Sequence, residues 1–114
     1  MSVTLYGIPN CDTVKKARDW LDARGVAYAF HDYKKLGADP VKLTQWAAEA
    51  GWEVLLNRAG TTFRKLPDAD KQDLNAHKAA ALMAAHPSCM KRPVVEHPGG
   101  LLVGFKADQW VAAF

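Results

Sequence analysis

Apolar residues recur along this chain with two periods, and the period switches more than once. Ser2-Val3-Thr4-Leu5-Tyr6 alternates with β-branched and aromatic residues, which predicts a short strand. Gly7, Pro9 and Asn10 end it. From Asp12 to about Arg24 the apolar positions are Val14, Ala17, Trp20 and Leu21, at helical spacing. Gly25 follows the last turn, where glycine commonly closes a helix. Val26 to His31 then reads as a second strand. A strand, a helix and a strand in so short a stretch predict a right-handed crossover between parallel strands.

The middle of the chain is different. Asp39-Pro40 is a helix start, with a capping acid and a proline in the first turn. Leu43, Trp46, Ala47 and Ala50 give that helix its buried stripe, and Gly51 stops it. Residues 52–66 show no clean period. Pro67-Asp68 predicts a short helix to Leu74, and Asn75 caps another from Ala76 to Ala85, with Ala79, Leu82 and Met83 inward and Pro87 beyond its end. Strands return with Pro93-Val94-Val95-Glu96, a turn at His97-Pro98-Gly99-Gly100, and an antiparallel partner at Leu101–Gly104. Asp108 to Phe114 reads as a closing helix with Trp110, Val111 and Phe114 inward. The order is β-α-β, a mostly helical stretch, then β-β-α, with no internal repeat and no low-complexity linker.

Composition narrows the class. A chain of 114 residues suits one domain, and 49% hydrophobic with 24% charged residues excludes a disordered tail protein. No apolar run reaches the ~20 residues of a membrane span. The first ten residues lack a basic stretch followed by a long apolar one, so a cytoplasmic protein is expected, without a membrane partner. The net charge of +3 favours anionic ligands, but the basic residues are interspersed with acids, and no direct nucleic-acid partner is expected. A monomer is expected. His31, His77, His86 and His97 form no zinc spacing with a cysteine pair, so no metal site and no bound cofactor are expected.

The chemistry concentrates at Gly7-Ile8-Pro9-Asn10-Cys11-Asp12-Thr13-Val14. This places Cys11 where a strand hands over to a helix. The first helical turn offers unpaired N–H groups and the positive end of the helix dipole, which favour the reactive thiolate. Lys15 and Lys16 follow about one turn later, and Asp12 opposes them if its carboxylate faces the sulfur. A small residue tucked under the turn is the bland alternative. A dithiol enzyme would carry Cys-x-x-Cys here; this chain has Val14 at the second position. Cys11 therefore has no local resolving partner; glutathione is the abundant candidate in a reducing cytosol, and Cys89 is the only internal alternative. Cys89, the other cysteine, reads as a core residue near a helix end.

Two more stretches bear on the site. Lys91-Arg92-Pro93 enters the third strand. Pro93 is either an ordinary strand-start proline or a cis proline that leaves the preceding backbone open to a peptide-like ligand. Arg92 can hold an oxyanion or a carboxylate by a two-pronged contact, or lie solvated at the surface. Asn57-Arg58-Ala59-Gly60-Thr61-Thr62-Phe63-Arg64 suits an anion-binding loop or a polar turn, and lacks P-loop spacing.

Together YGIPNCDTVKKAR, LLNRAGTTFRKL and KRPVVEHPGGLLVGF resemble the ArsC-like family of arsenate reductases, Spx-type regulators and YffB-type proteins, with the YffB type most similar. The resemblance spans nearly the whole chain. It implies an α/β, thioredoxin-like fold with a mixed sheet: a single domain over 1–114, with thioredoxin-like parts at 1–35 and 88–114 and a helical insertion at about 38–87. It implies Cys11 as nucleophile with Arg92 beside it, and a cis Pro93. Asn10, Asp12, Thr13, Lys15, Asn57, Arg58, Arg92 and Pro93 are then expected to bind glutathione or substrate. Arsenate reductases of this kind carry three arginines at the cysteine. Here only Arg92 aligns; Asn57 takes one place with Arg58 next to it, and Lys106 is the only cation near the last. Lysine replaces a planar guanidinium poorly, so an arsenate oxyanion would be weakly held. The YffB-type relatives share these departures. The expected function is a glutathione-dependent monothiol oxidoreductase, with glutathione as co-substrate and a disulfide or oxyanion as substrate. The alternatives are an arsenate reductase coupled to glutathione or glutaredoxin, and an Spx-like regulator docking on RNA polymerase.

Overall fold

The structure, a computed structural model, describes residues 2–114. Its elements are β1 (Thr4–Gly7), α1 (Asp12–Ala23), β2 (Ala29–Asp32), α2 (Tyr33–Leu36), α3 (Pro40–Ala50), α4 (Trp52–Leu55), α5 (Thr61–Arg64), α6 (Asp68–Lys71), α7 (Ala76–Ala85), β3 (Val94–His97), β4 (Gly100–Val103) and α8 (Ala107–Ala113), with a 3-10 turn at Pro87–Cys89. The chain divides into two compact units. One is the chain up to Leu36 together with Arg92–Phe114; the other is Gly37–Lys91.

The first unit is a four-stranded mixed sheet in the order β2-β1-β3-β4. β1 and β2 run parallel, as the crossover rule requires, with Leu5 opposite Phe30 and Gly7 opposite Asp32. β3 is antiparallel to both neighbours, with Tyr6 opposite Val94 and Val94 opposite Val103. The α1 stripe read from the sequence is buried at Val14, Ala17 and Leu21, and it packs with Leu5, Val95 and Trp110. Each fully buried valine or leucine in this cluster contributes about 1.5–3 kcal/mol of transfer free energy. Trp110 is wholly buried and meets Trp20, Phe105 and Phe114 edge-on or tilted, with ring centroids 4.9–5.9 Å away. Its indole N–H donates to the Gly104 carbonyl at 3.1 Å.

In the second unit, α3 packs on α7 through Leu43, Trp46, Ala79, Leu82 and Met83, all buried. Both predicted caps form. Asp39 Oδ1 accepts from the Val41 N–H and Asn75 Oδ1 from the Lys78 N–H, each at 2.9 Å.

Several expectations shift. The second strand begins at Ala29 rather than Val26, because the Val26 N–H still bonds the Leu21 carbonyl at 3.0 Å as the chain leaves α1. The expected turn at 97–100 tightens to Pro98-Gly99, since His97 and Gly100 pair with each other. The helix expected from 67 to 74 is only the turn α6. The unassigned stretch 52–66 contains two single turns, α4 and α5. Val111, expected inward, is 53% exposed: Trp110 and Phe114 take the inner face of α8, and Val111 turns away from it. Ala50 is half-buried. The turn α2 carries no apolar period to announce it; Asp32 Oδ1 starts it by accepting from the N–H groups of Lys34 (3.1 Å) and Lys35 (3.3 Å). Among the described residues no helix is long and apolar enough to cross a membrane.

Candidate active site at Cys11

Sheet register decides what meets at the end of β1. Gly7 lies beside Asp32, so the parallel strands β1 and β2 end together. From Gly7 the chain turns through Ile8-Pro9-Asn10 to Cys11; from Asp32 it runs directly into Tyr33. The antiparallel strand β3 starts at this same edge, with Val94 opposite Tyr6 and Arg92-Pro93 just before it. Cys11, Tyr33 and Arg92 are thus delivered to one edge of one sheet by three separate segments.

Cys11 is the N-cap of the twelve-residue helix α1, in extended conformation (φ −98°, ψ 124°). Its carbonyl accepts the Lys15 N–H at 2.9 Å, the first bond of the helix. Its side chain makes no capping hydrogen bond, although N-cap side chains ordinarily accept from the second or third helical N–H. The thiol is half-buried, packed against the α1–β1 core on one side. The close approach of α1 to β1 depends on Gly7: a Cβ there would lie 2.9 Å from Val14 Cγ2 and 3.3 Å from Cγ1.

Arg92 is half-buried and Pro93 buried, and the Arg92–Pro93 bond is cis. Pro93 is held through its carbonyl, which accepts the Gly104 N–H at 2.8 Å. Gly104 has φ +77°, a left-handed conformation that favours glycine, and its own carbonyl receives the Trp110 indole. Among the described residues the Arg92 N–H and C=O pair with no backbone group.

Tyr33 is the residue that the sequence did not point to. It is 2% exposed, and its hydroxyl has no hydrogen-bond partner among the described residues. Burial pushes its pKa up to about 12. The Arg92 guanidinium works against burial, by its charge and as a nearby donor that would close on the ionised oxygen though it makes no hydrogen bond to the neutral hydroxyl, while the negative charges of Cys11 and Asp32 add to it. The phenol oxygen therefore lies within electrostatic reach of both Arg92 and the Cys11 sulfur. A buried hydroxyl left unpaired costs about 1–3 kcal/mol. The only signal in the sequence is position, at the end of a strand parallel to the one that leads to the cysteine; crevices at such strand ends commonly hold ligands.

The remaining expected residues separate. Asn10, Asp12, Thr13 and Lys15 flank Cys11 and are exposed. Asn57 and Arg58 belong to the second unit. There the Asn57 N–H donates to the Cys89 carbonyl at 2.7 Å, its Oδ1 accepts from Ala59 at 3.2 Å, and the Arg58 guanidinium lies 5.8 Å from the Trp52 ring centroid. Lys106 is exposed at the start of α8. Cys89 is 1% exposed in the second unit, and burial pushes its thiol pKa up. Among the described residues no group of three His, Cys, Asp or Glu is placed to hold a metal ion.

The profile of the ArsC family matches residues 6–113. The chain belongs to the ArsC family. A solved structure named YFFB protein is 59% identical, with a TM-score of 0.96 over 98% of both chains. An arsenate reductase (ArsC) related protein from Brucella melitensis is 56% identical, with a TM-score of 0.76 over 98% of this chain and 93% of its own. The global transcriptional regulator Spx of Streptococcus mutans is 28% identical, over 94% of this chain and 79% of Spx. The fold of this ArsC-family chain is α/β and thioredoxin-like, with its mixed four-stranded sheet in the first unit.

Proposed function

We propose that this ArsC-family protein is a glutathione-dependent monothiol oxidoreductase with Cys11 as its nucleophile. The observation that carries the reading is an uncapped helix N-terminus with a half-exposed thiol in the capping position. A thiolate there is the acceptor that the first turn lacks, and Arg92 adds a cation at the same edge of the sheet. Val14, where a second cysteine would stand in a dithiol enzyme, is wholly buried in the core, and Cys89 is buried too. A thiol from solution then has to resolve any mixed disulfide.

The reaction balances as two exchanges. The Cys11 thiolate attacks the glutathione sulfur of a mixed disulfide R–S–SG, the Cys11–SG bond forms, and RS⁻ leaves with the electron pair of the old bond. A glutathione thiolate then attacks the glutathione sulfur on Cys11, giving oxidised glutathione and the free Cys11 thiolate. Each cycle consumes one free glutathione: R–S–SG and one glutathione thiol become the thiol R–SH and oxidised glutathione. The open Arg92 backbone suits a peptide laid beside it as an added strand, and Arg92 with Lys15 suits the carboxylates of the tripeptide.

Incubation with oxidised glutathione is expected to add the mass of one glutathione to the wild type, at Cys11, and none to Cys11→Ser. An unmodified wild type, or an equal adduct on the variant, refutes the reading. The Brucella relative favours a second reading, arsenate reduction. Turnover of arsenate with glutathione and glutaredoxin, abolished in Arg92→Ala, would establish it.

A further inference from the structure

Tyr33 is the group at this edge of the sheet with no task assigned. Its hydroxyl is the one buried polar side-chain atom among the described residues without a hydrogen-bond partner. Register fixes its place: Asp32 lies beside Gly7, Tyr33 comes next on one strand, and the turn to Cys11 follows on the other. Arg92 arrives at the same edge ahead of β3. A buried donor left open costs stability unless something that binds there uses it.

We propose that the Tyr33 hydroxyl is a catalytic hydrogen-bond donor, reserved for the sulfur that departs when Cys11 attacks a disulfide. The proposal rests on Cys11 being the nucleophile. As the Cys11 Sγ–S bond forms, the scissile S–S bond breaks and its electron pair stays on the leaving sulfur. The Tyr33 O–H donates to that developing thiolate and keeps its own proton; the thiolate takes a proton from water once released. A phenol raised to about 12 remains protonated, hence a donor, throughout the neutral range. Arg92 supplies positive charge beside the same oxygen.

The test compares wild type with Tyr33→Phe, which removes only the oxygen. The disulfide is hydroxyethyl disulfide, an uncharged alkyl disulfide that carries nothing of glutathione. Alkylation of Cys11 by iodoacetamide, in which no thiolate leaves, is the control. Loss of one donor to a charged acceptor is expected to slow exchange by about ten- to a hundredfold. Alkylation is expected to stay within about twofold, and the urea midpoint to stay the same or rise, since the hydroxyl is unpaired in the free protein. Equal exchange rates overturn the proposal. So does an equal fall in exchange and alkylation, which would mean that Tyr33 acts on the Cys11 thiol itself. A wild type that forms no adduct with oxidised glutathione yet exchanges with hydroxyethyl disulfide ends the glutathione reading and leaves the Tyr33 comparison decisive. A wild type inert to both ends the two together.

Discussion

Tyr33 also sets a titration that stability measurements can read. Its pKa stands at about 12 in the folded chain against a reference value of 10.0. A phenol whose folded pKa is raised stays protonated in the native state while the unfolded chain ionises. Above about pH 10 the unfolded state therefore binds fewer protons, and stability falls as pH rises. The stabilising contribution is complete below pH 10 and lost as pH climbs through about 12, a difference of roughly 2–3 kcal/mol for this nearly inaccessible side chain. Tyr33→Phe has no such group. Urea unfolding of both proteins is expected to give midpoints that diverge between pH 10 and 12, with the wild type falling faster. Parallel curves would mean that burial does not hold the phenol neutral. Cys89, also raised by burial, is common to both proteins and cancels in the comparison.

At the scale of elements, the contact between β1 and α1 carries the site. Val14 is β-branched and wholly buried, so its rotamer in the helix has little freedom to give way to a new Cβ at Gly7. Gly7→Ala is expected to cost about 1–3 kcal/mol by overpacking and to slow Cys11 exchange by shifting the start of α1. Val14→Ala opens the space, so the double variant is expected to be less destabilised than the two single losses added together. Strict additivity in urea unfolding would rule the contact out. These elements were the legible ones. α1, α3 and α7 show repeated apolar stripes, and the capping residues Asp39 and Asn75 could be named from the sequence because their side chains act on the next turn. The turns α2, α4 and α5 are four residues long, too short for a period to register. The position of Cys11 between strand and helix was legible because both flanking elements announce themselves in the local pattern. Tyr33 was not, since its meaning comes from the pairing of Gly7 with Asp32, a contact between residues distant in sequence.

Across the whole molecule, the unit that holds the sheet is assembled from two stretches, the chain up to Leu36 and Arg92–Phe114, and Cys11, Tyr33 and Arg92 are drawn from both. Charge acts at this scale as well. Fifteen lysines and arginines against twelve acids leave a net +3, while oxidised glutathione is anionic at neutral pH. If that excess helps to capture the ligand, adduct formation at Cys11 must weaken with salt. The screening length is about 30 Å at 0.01 M and about 3 Å at 1 M, so the range runs from a field that spans the protein to one confined to contacts. The rate with oxidised glutathione is expected to fall several-fold across it, and the rate with uncharged hydroxyethyl disulfide to stay flat. Arg92→Gln separates the two sources of the field. A salt slope that survives the substitution belongs to the distributed +3, and a slope that vanishes belongs to the guanidinium beside Tyr33. Equal salt responses for the charged and uncharged disulfides would remove ligand charge from the account altogether, leaving the helix N-terminus and the sheet edge to determine reactivity.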